Sequence, residues 1–236
     1  PLLDEADRGV AEAEVSAEAV GEAEQVTPAT GRVRRRRGQI RLKALIEATE
    51  ALLEDHDVGD VGLYQIAERA GVPPASIYHF FPNKEAALVA LAEDCLQRMV
   101  SRSIEILDPR PASWQDLVAL RVRAAGRFYN DHRPLMRLFL GASISTEVRQ
   151  RDMAGTLAVA HTRAEILARH FLRPPVRDWT YKLANSLAIA DGIWALSYSQ
   201  HQRISGESVE EAVRAVVAYL RCYLPDWIEP RPADTP

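Results

Sequence analysis

Residues 65–84 most constrain the fold, because glycine and proline there fix where helices end and begin. The segment reads Gln-Ile-Ala-Glu-Arg-Ala-Gly-Val-Pro-Pro-Ala-Ser-Ile-Tyr-His-Phe-Phe-Pro-Asn-Lys. Residues 63–70 can form two helical turns, and Gly71 can adopt the left-handed conformation that closes a helix. The prolines at 73–74 suit the first turn of a second helix, which must end just before Pro82. This pattern predicts a helix-turn-helix, whose second helix enters the major groove of DNA. An ordinary helical hairpin is the alternative that these residues alone leave open.

The rest of the 236-residue chain also has helical periodicity. Apolar residues recur three and four positions apart in residues 38–55, 83–107 and 113–130, and no segment shows the alternation of a strand. We therefore predict an all-α protein of about nine helices. The three at the N-terminus form a helix-turn-helix DNA-binding domain, and a larger all-helical C-terminal domain follows.

Charge is distributed unevenly along the chain, although the net charge is only −4. Residues 1–24 carry eight acidic side chains against one base, Arg8, whereas Arg34, Arg35, Arg36 and Arg37 stand together. Local charge decides phosphate affinity, so the arginine run predicts DNA contact. The acidic tail, residues 1–31, has few large apolar residues and is predicted to be disordered. It is either simply solvated or a competitor of DNA for the arginines.

Several classes of protein are excluded by what the sequence lacks. It has no apolar run long enough to span a membrane and no signal-peptide pattern, so we expect a cytoplasmic protein without membrane contact. Neither a nucleophile elbow, a zinc-protease motif nor a phosphate-binding glycine loop occurs, so neither catalytic residues nor a cofactor are predicted. Cys95 and Cys222 lie in apolar helical patterns and are expected to be buried and free, and no metal site is predicted.

The segment 176–203 is apolar or small on almost every side between Leu183 and Leu196, so it must bury every side. One side can pack in its own domain, and the other needs a second surface. Together with the last predicted helix, 207–223, it predicts a homodimer joined by a four-helix bundle, with a purely intramolecular core as the alternative. The predicted interface comprises Leu187, Ala188, Val209, Val213, Val216, Val217 and Leu220.

A ligand cavity is predicted in the C-terminal domain from its aromatic side chains and a few polar ones. Asp191 is a lone acid in an apolar run, and either binds a ligand or serves a structural hydrogen-bond network. The predicted lining comprises Trp114, Phe128, His132, Met136, Arg137, Phe139, Trp179, Asn185, Asp191 and Trp194.

The motif resembles that of the tetracycline-repressor (TetR) family of bacterial transcription regulators. The resemblance covers residues 40–92 and is carried by Ile66, Ala67, Ala70, Gly71, Val72, Ile77, Tyr78, Phe81, Lys84 and, displaced by one position, Leu88. This sequence departs from the family pattern at three places: Gly62 stands in place of a Thr cap, prolines stand at the start of the recognition helix, and Phe80 stands at a position that is often polar.

The resemblance places a set of residues toward DNA. Hydroxyl and ammonium groups suit phosphate, His79 suits a base edge, and Ala75 suits a thymine methyl. The arginines resemble a flexible arm that reaches a minor groove or adds phosphate contacts. The predicted DNA contacts are Arg34, Arg35, Arg36, Arg37, Tyr64, Gln65, Pro74, Ala75, Ser76, Tyr78, His79 and Lys84.

The sequence and the resemblance together predict a homodimeric repressor that binds double-stranded operator DNA. A small-molecule effector of unknown identity would release it by shifting the long helix that begins near residue 83. The predicted organisation is a tail at 1–31, a DNA-binding domain at 32–82, an effector and dimerisation domain at 83–227, and a loose tail at 228–236. The alternative function is an effector-independent, nucleoid-associated architectural protein of the same fold.

Overall fold

The computed structural model describes residues 28–103, 109–141 and 145–232, with side chains from Arg35 to Ser101 in the first of these ranges. Nine helices occupy the described ranges, which contain no strand longer than an isolated bridge, and the all-α prediction is confirmed. The helices are α1 (Pro28–Leu52), α2 (Leu63–Arg69), α3 (Pro74–Ile77), α4 (Lys84–Ser103), α5 (Trp114–Asp131), α6 (Arg133–Phe139), α7 (Thr146–His170), α8 (Trp179–His201) and α9 (Gly206–Arg221).

Two helices differ in length from the prediction. Helix α1 begins at Pro28, about ten residues earlier than expected, because proline suits a first turn and arginine is a good helix former. Helix α3 is only four residues long, but its path continues as turns, with the N–H groups of Phe80 and Phe81 each 2.8 Å from the carbonyl oxygen of Ile77. Of the predicted disordered tail, residues 1–27 lie outside the described residues and residues 28–31 are helical.

The described residues of α1 up to Arg37 belong to one compact unit, and residues from Gly38 onward belong to a second. Within the second unit, side chains cross the predicted domain boundary at residue 83. Arg98 on α4 donates through one nitrogen to both carboxylate oxygens of Glu50 on α1, at 2.9 and 3.0 Å. The predicted division into domains therefore stays a prediction, while helix-turn-helix and helical body form a single unit.

The helical body is built on pairs of packed helices. Helix α8 packs on α7 and α9, α4 packs on α7, and α5 packs on α9. The α4–α7 contact is close at Gly155, where an added Cβ would collide with the side chain of Leu96. A second close approach joins Gly126 of α5 to Val209 of α9.

The C-terminal segment after residue 227 is not loose as far as Pro232, contrary to the prediction. Ile228 is buried, and the N–H of Leu172 donates to the carbonyl of Glu229 at 2.8 Å. Arg231 donates its N–H to the carbonyl of His170 and its Nε to that of Ala168, at 2.8 and 2.6 Å. These bonds satisfy carbonyls at the end of α7 that have no partner within the helix. Residues 233–236 lie outside the described part.

The burial of side chains in the protomer differs in part from what was predicted for the dimer interface and for the two cysteines. Three of the seven seam residues, Val213, Val216 and Leu220, are buried inside the protomer, because α9 turns its apolar face toward α5 and α8. Of the cysteines, Cys95 is buried as predicted, but Cys222 is exposed; both are free. None of the helices in the described ranges has the length and hydrophobicity that crossing a bilayer needs.

Candidate nucleic-acid interface and internal cavities

The turn between α2 and α3 has the geometry that the sequence predicted. Gly71 has a φ of +63°, in the left-handed region. The N–H of Gly71 donates to the carbonyl of Glu68 at 3.1 Å, and the N–H of Val72 donates to that of Ala67 at 2.9 Å. These two bonds end α2 in the manner of a glycine cap. Because a side chain at position 71 would be strained, the angle between α2 and α3 depends on this glycine.

The two short helices bury one side and leave another exposed. Ile77 and Phe81 are 1% and 3% exposed and anchor α3 in the core. Tyr78 is 63% exposed, and Tyr64, from α2, is 66% exposed. Three further predicted contacts are exposed in the same segment: Pro74, Ala75 and His79. Phe80, which stands at a position that is often polar in the family, is half-buried and packs against the core.

Three predicted DNA contacts have partners or burial inside the protein. The carbonyl oxygen Oε1 of Gln65 accepts the backbone N–H of Gly62 at 2.7 Å, which is one of the two bonds of a capping box; the other, from a threonine hydroxyl, has no counterpart at Gly62. Lys84 Nζ donates to the carbonyls of Val58 and Gly59 at 3.2 and 3.4 Å, so its ammonium closes the turn before α2. Ser76 is half-buried. The structure thus gives Gln65 and Lys84 a structural role that the sequence did not reveal.

The arginine run differs from the flexible arm that the resemblance implies, because its backbone is helical. Arg35, Arg36 and Arg37 are exposed along α1, while the side chain of Arg34 lies outside the described part. Exposed guanidinium groups on a helix remain well suited to phosphate, since their planar N–H groups match the oxygens of phosphate in charge and geometry.

A side chain of α6 contacts the end of α1. Arg137 Nη1 donates to the carbonyl of Leu53 at 2.7 Å and to that of His56 at 2.8 Å. Its Nε lies 3.8 Å from a carboxylate oxygen of Asp57. Both carbonyls lie in the turn that directly follows α1, so Arg137 ties this turn to the helical body. It does not line the cavity for which it was predicted.

A wide cavity of about 530 Å³ lies between the end of α6, α7 and α8. This volume is in the range of small-molecule sites. It opens beside the exposed side chains of Met153 and Tyr181. Its polar lining is Tyr129, Arg149, Asp152, Thr156, Tyr181, Asn185 and Asp191. Its apolar lining is Phe139, Leu140, Gly141, Met153, Leu157, Ala184, Ala188, Gly192 and Ala195.

A narrow chamber of about 40 Å³ lies deeper and shares Tyr129, Asp152, Thr156 and Asp191 with the wide cavity. It has room for a few water molecules only. Arg163 and Trp194 belong to this inner chamber, and their nitrogens Nε and Nε1 are buried with no hydrogen-bond partner among the described residues.

Asp191 stands between the two spaces. Among the described residues its carboxylate makes no hydrogen bond and no ion pair. Burial raises the pKa of Asp191 to about 7, and the neighbouring charge of Asp152 raises it further, while Arg163 and Arg149 lower it. Burial likewise raises the pKa of Tyr129, and it lowers that of Arg163 to about 10. Titratable groups whose pKa values are shifted by their surroundings at a cavity are typical of a binding site.

Four of the ten residues predicted to line an effector pocket line these two spaces: Phe139, Asn185 and Asp191 in the wide cavity, and Asp191 and Trp194 in the inner chamber. The other six lie elsewhere. Trp114 is fully buried and its Nε1 donates to the carbonyl of Pro225 at 2.9 Å. His132 stacks on Phe128 and bonds its backbone, and Met136 and Trp179 are buried in the core away from both linings. Aromatic residues at helical spacing served the core, which is their commoner role.

Sequence reasoning missed Tyr129, Asp152 and Arg163. Each is one polar residue in an amphipathic helix, and such residues normally face solvent. The available signal was spacing: Asp152, Thr156 and Arg163 recur at four and seven positions on α7, which places them on one face.

Comparison with known proteins agrees with this geometry. Residues 45–91 match the family model for bacterial regulatory proteins of the tetR family. The chain is 28% identical over 159 residues to the HTH-type transcriptional regulator BetI of Cronobacter sakazakii, covering 66% of this chain and 78% of that protein. It is 32% identical over 85 residues to the HTH-type transcriptional regulator EthR of Mycobacterium tuberculosis, covering 36% of this chain and 39% of that protein.

The fold is shared with a solved structure. The crystal structure of a tetR-family transcriptional regulator from Streptomyces coelicolor aligns with a TM-score of 0.57 and 19% identity, covering 77% of this chain and 79% of that chain. The relatives are named transcriptional regulators, and the matched residues are those that build the turn and the exposed short helix. The family-model match, the named relatives and the shared fold together support the TetR family of bacterial regulatory proteins for this chain.

Proposed function

We propose that the chain is a homodimeric transcriptional repressor, released from a pseudo-palindromic operator by a small molecule in the wide cavity. The observation that carries the DNA-binding part is the contrast within α3 and its continuation. Ile77 and Phe81 are buried, while Tyr78 and His79 are exposed next to Pro74 and Ala75. A helix anchored on one side and free on the other is what insertion into a groove requires.

The exposed groups divide the task of recognition. The hydroxyls of Tyr78 and Tyr64 suit phosphate contacts, which fix the register on DNA. His79 suits a base edge, and Ala75 suits a thymine methyl. With few donors on α3, sequence-dependent DNA shape and phosphate contacts from Arg35 to Arg37 supply the remaining affinity.

The dimer is proposed to form through the outer side of α8. Five residues spaced three or four apart are exposed there: Tyr181, Asn185, Ala188, Gly192 and Leu196. Leu196 is 63% exposed, although it is a large apolar residue. Pairing of this face across a two-fold axis would cover it, and two-fold symmetry matches a palindromic operator. Because all of these residues except Leu196 also line the wide cavity, the partner protomer would lie over that side of the cavity. Of the seam predicted from the sequence, Leu187, Ala188, Val209 and Val217 are not fully buried in the protomer.

Two contacts link the cavities to the DNA-binding helices. The end of α6 contributes Phe139 to the wide cavity, and Arg137, on the same helix, binds the turn that follows α1. Helix α4 contributes Leu96 to the inner chamber, and Arg98, half a turn away, pairs with Glu50 on α1. An effector that binds better when these helices are displaced would move α1 and the helix-turn-helix with them, and its differential affinity sets the coupling.

The experiment that tests this proposal is selection of bound sites from random DNA, followed by footprinting of the enriched sequence. We expect an inverted repeat with two protected half-sites about 34–36 Å apart, on one face of the duplex. A single protected half-site would contradict the dimer. Binding without any enriched sequence would favour the architectural protein instead.

A further inference from the structure

The wide cavity contains one carboxylate, that of Asp191, with no cation within ion-pair distance among the described residues. Asp152 and Arg149 both line it, and Arg149 Nη1 lies 3.5 Å from Oδ2 of Asp152. Asp191 lines the same cavity, but no cation lies within ion-pair distance among the described residues. Asp191 is half-buried, and a carboxylate that is largely removed from solvent without a partner is costly, so the cavity is complementary to a ligand that supplies one.

The walls around Asp191 favour a particular kind of partner. Phe139, Tyr129 and Tyr181 line the same space and present aromatic rings. The faces of such rings attract cations, and more strongly when water is excluded. Met153 and Leu157 provide an apolar surface near the opening.

We propose that the wide cavity binds an organic cation, with an ammonium group against Asp191 and an apolar body along Phe139, Met153 and Leu157. This inference rests on the proposed effector function and names the chemical class of the effector.

An anionic ligand is disfavoured by where the arginines lie. Arg163 lines the inner chamber on the far side of Asp191, and it does not line the wide cavity. Arg121 lies deeper still, beside Arg163. The inner chamber, with about 40 Å³, is too small to hold a drug-sized anion. Arg149 is the remaining cation of the wide cavity, and its charge is directed to Asp152.

The pH dependence of binding follows from the groups that face Asp191. These are Asp152, Arg149 and Arg163 on α7 and Tyr129 on α5. Because burial raises the pKa of Asp191 to about 7, the carboxylate is mostly protonated at pH 6 and mostly ionised at pH 8. A cationic ligand needs the ionised form, so its affinity should rise about tenfold over this interval.

The test compares three ligands of equal size and different charge, using the full chain and isothermal titration calorimetry. They are 4-phenylbutylamine, 4-phenylbutanol and 4-phenylbutyrate. We expect the amine to bind at least about tenfold more tightly than the other two, and Asp191→Asn to remove this preference while leaving the affinity for the alcohol unchanged. Asp131→Asn, an exposed acid-to-amide change, is the matched control and should leave all three affinities unchanged.

A second variant protects the test against simple misfolding. Arg149→Gln frees the carboxylate of Asp152, so it should tighten the binding of the amine several-fold, a gain that a damaged protein would not show. Tightest binding of the butyrate, unchanged amine affinity in Asp191→Asn, or no binding of the amine at millimolar concentration would each overturn the inference.

Operator affinity, measured on the same samples without ligand, separates this inference from the proposed function. If the protein binds its operator and the amine fails these tests, only the proposed class of effector is wrong. If no operator is bound, the regulator itself is contradicted, whatever the cavity binds.

Discussion

The position of Lys84 in the sequence suits a contact with DNA, but the structure shows its side chain bonded within the protein. A lysine just after the recognition helix suits a DNA phosphate, yet its ammonium donates to the carbonyls of Val58 and Gly59. Releasing it toward DNA would leave those carbonyls without this donor. The residue therefore holds the turn between α1 and α2 and only indirectly serves DNA binding.

Replacing Lys84 by Met should lower stability by about 1 kcal/mol, because two hydrogen bonds are lost. It should leave the salt dependence of DNA affinity unchanged. The matched variant Arg36→Gln removes an exposed cation, and should leave stability unchanged while reducing the salt slope by about one. Denaturant unfolding and binding titrations at several salt concentrations measure both quantities. If Lys84→Met reduced the slope of DNA affinity against salt concentration, Lys84 would be in contact with a DNA phosphate.

Asp191 makes stability depend on pH in a direction that can be stated in advance. The folded state raises the pKa of Asp191 from 3.8 to about 7, so between these values it binds a proton that the unfolded chain has released. The contribution of this group is fully present below about pH 4 and is lost as the pH rises to about 7. Asp191→Asn removes the buried charge.

We therefore expect Asp191→Asn to be more stable than the parent at pH 8, on the order of 2 kcal/mol, with a smaller difference at pH 5. Denaturant unfolding at both pH values measures this difference. Asp131→Asn, at the exposed end of α5, should show none. A variant that is less stable than the parent at pH 8 would mean that Asp191 has a favourable ionic partner in the folded protein.

The course of most helices could be predicted from the sequence because their ends carry strong local signals. Gly71, Pro82 and Ser113 each mark a boundary through backbone chemistry that acts within a few residues. Ser113 accepts the N–H of Asp116 at 3.1 Å, as a helix cap should.

The cavity was less predictable because its walls come from four helices far apart in the chain. Asp191 stood out as an acid in an apolar run, but Asp152, on another helix, had no such contrast. Their proximity follows from how α7 and α8 pack, which periodicity does not encode. Six predicted pocket residues lie elsewhere for the same reason. Composition indicates an interior rich in aromatic residues, but it does not indicate which rings face a cavity.

The α4–α7 contact sets the position of the helix that runs from the recognition helix into the body. At Gly155 the two helices approach so closely that a methyl group would collide with Leu96. Gly155→Ala should therefore destabilise the protein by about 1–3 kcal/mol, despite the better helix propensity of alanine. Gly38→Ala, in α1 with open space around it, is the control and should be neutral or stabilising by up to about 1 kcal/mol.

Thermal unfolding of both glycine variants gives the comparison. Operator affinity of Gly155→Ala should also fall, because α4 begins directly behind the recognition helix at Lys84. Parent-like stability and affinity in Gly155→Ala would show that α4 can move away from α7 at no cost.

At the scale of the whole molecule, the chain combines a DNA-reading element with a cavity through shared helices. Arg98 joins α4 to α1 and Arg137 joins α6 to α1, so the helix-turn-helix has contacts with two helices that border the ligand spaces. A ligand needs only to favour a different arrangement of these helices to change DNA affinity. Such coupling requires that the exposed side of α3 is the surface that contacts DNA.

The most direct test of this claim is the affinity of the double variant Tyr78→Phe/His79→Ala for the selected operator, measured by fluorescence anisotropy. Light scattering on the same samples verifies that the oligomeric state matches that of the parent. We expect an affinity at least about tenfold below that of the parent, because a phosphate contact and a base contact are lost in each half-site. Unchanged operator affinity, with the oligomeric state intact, would mean that a different surface of the protein reads the DNA.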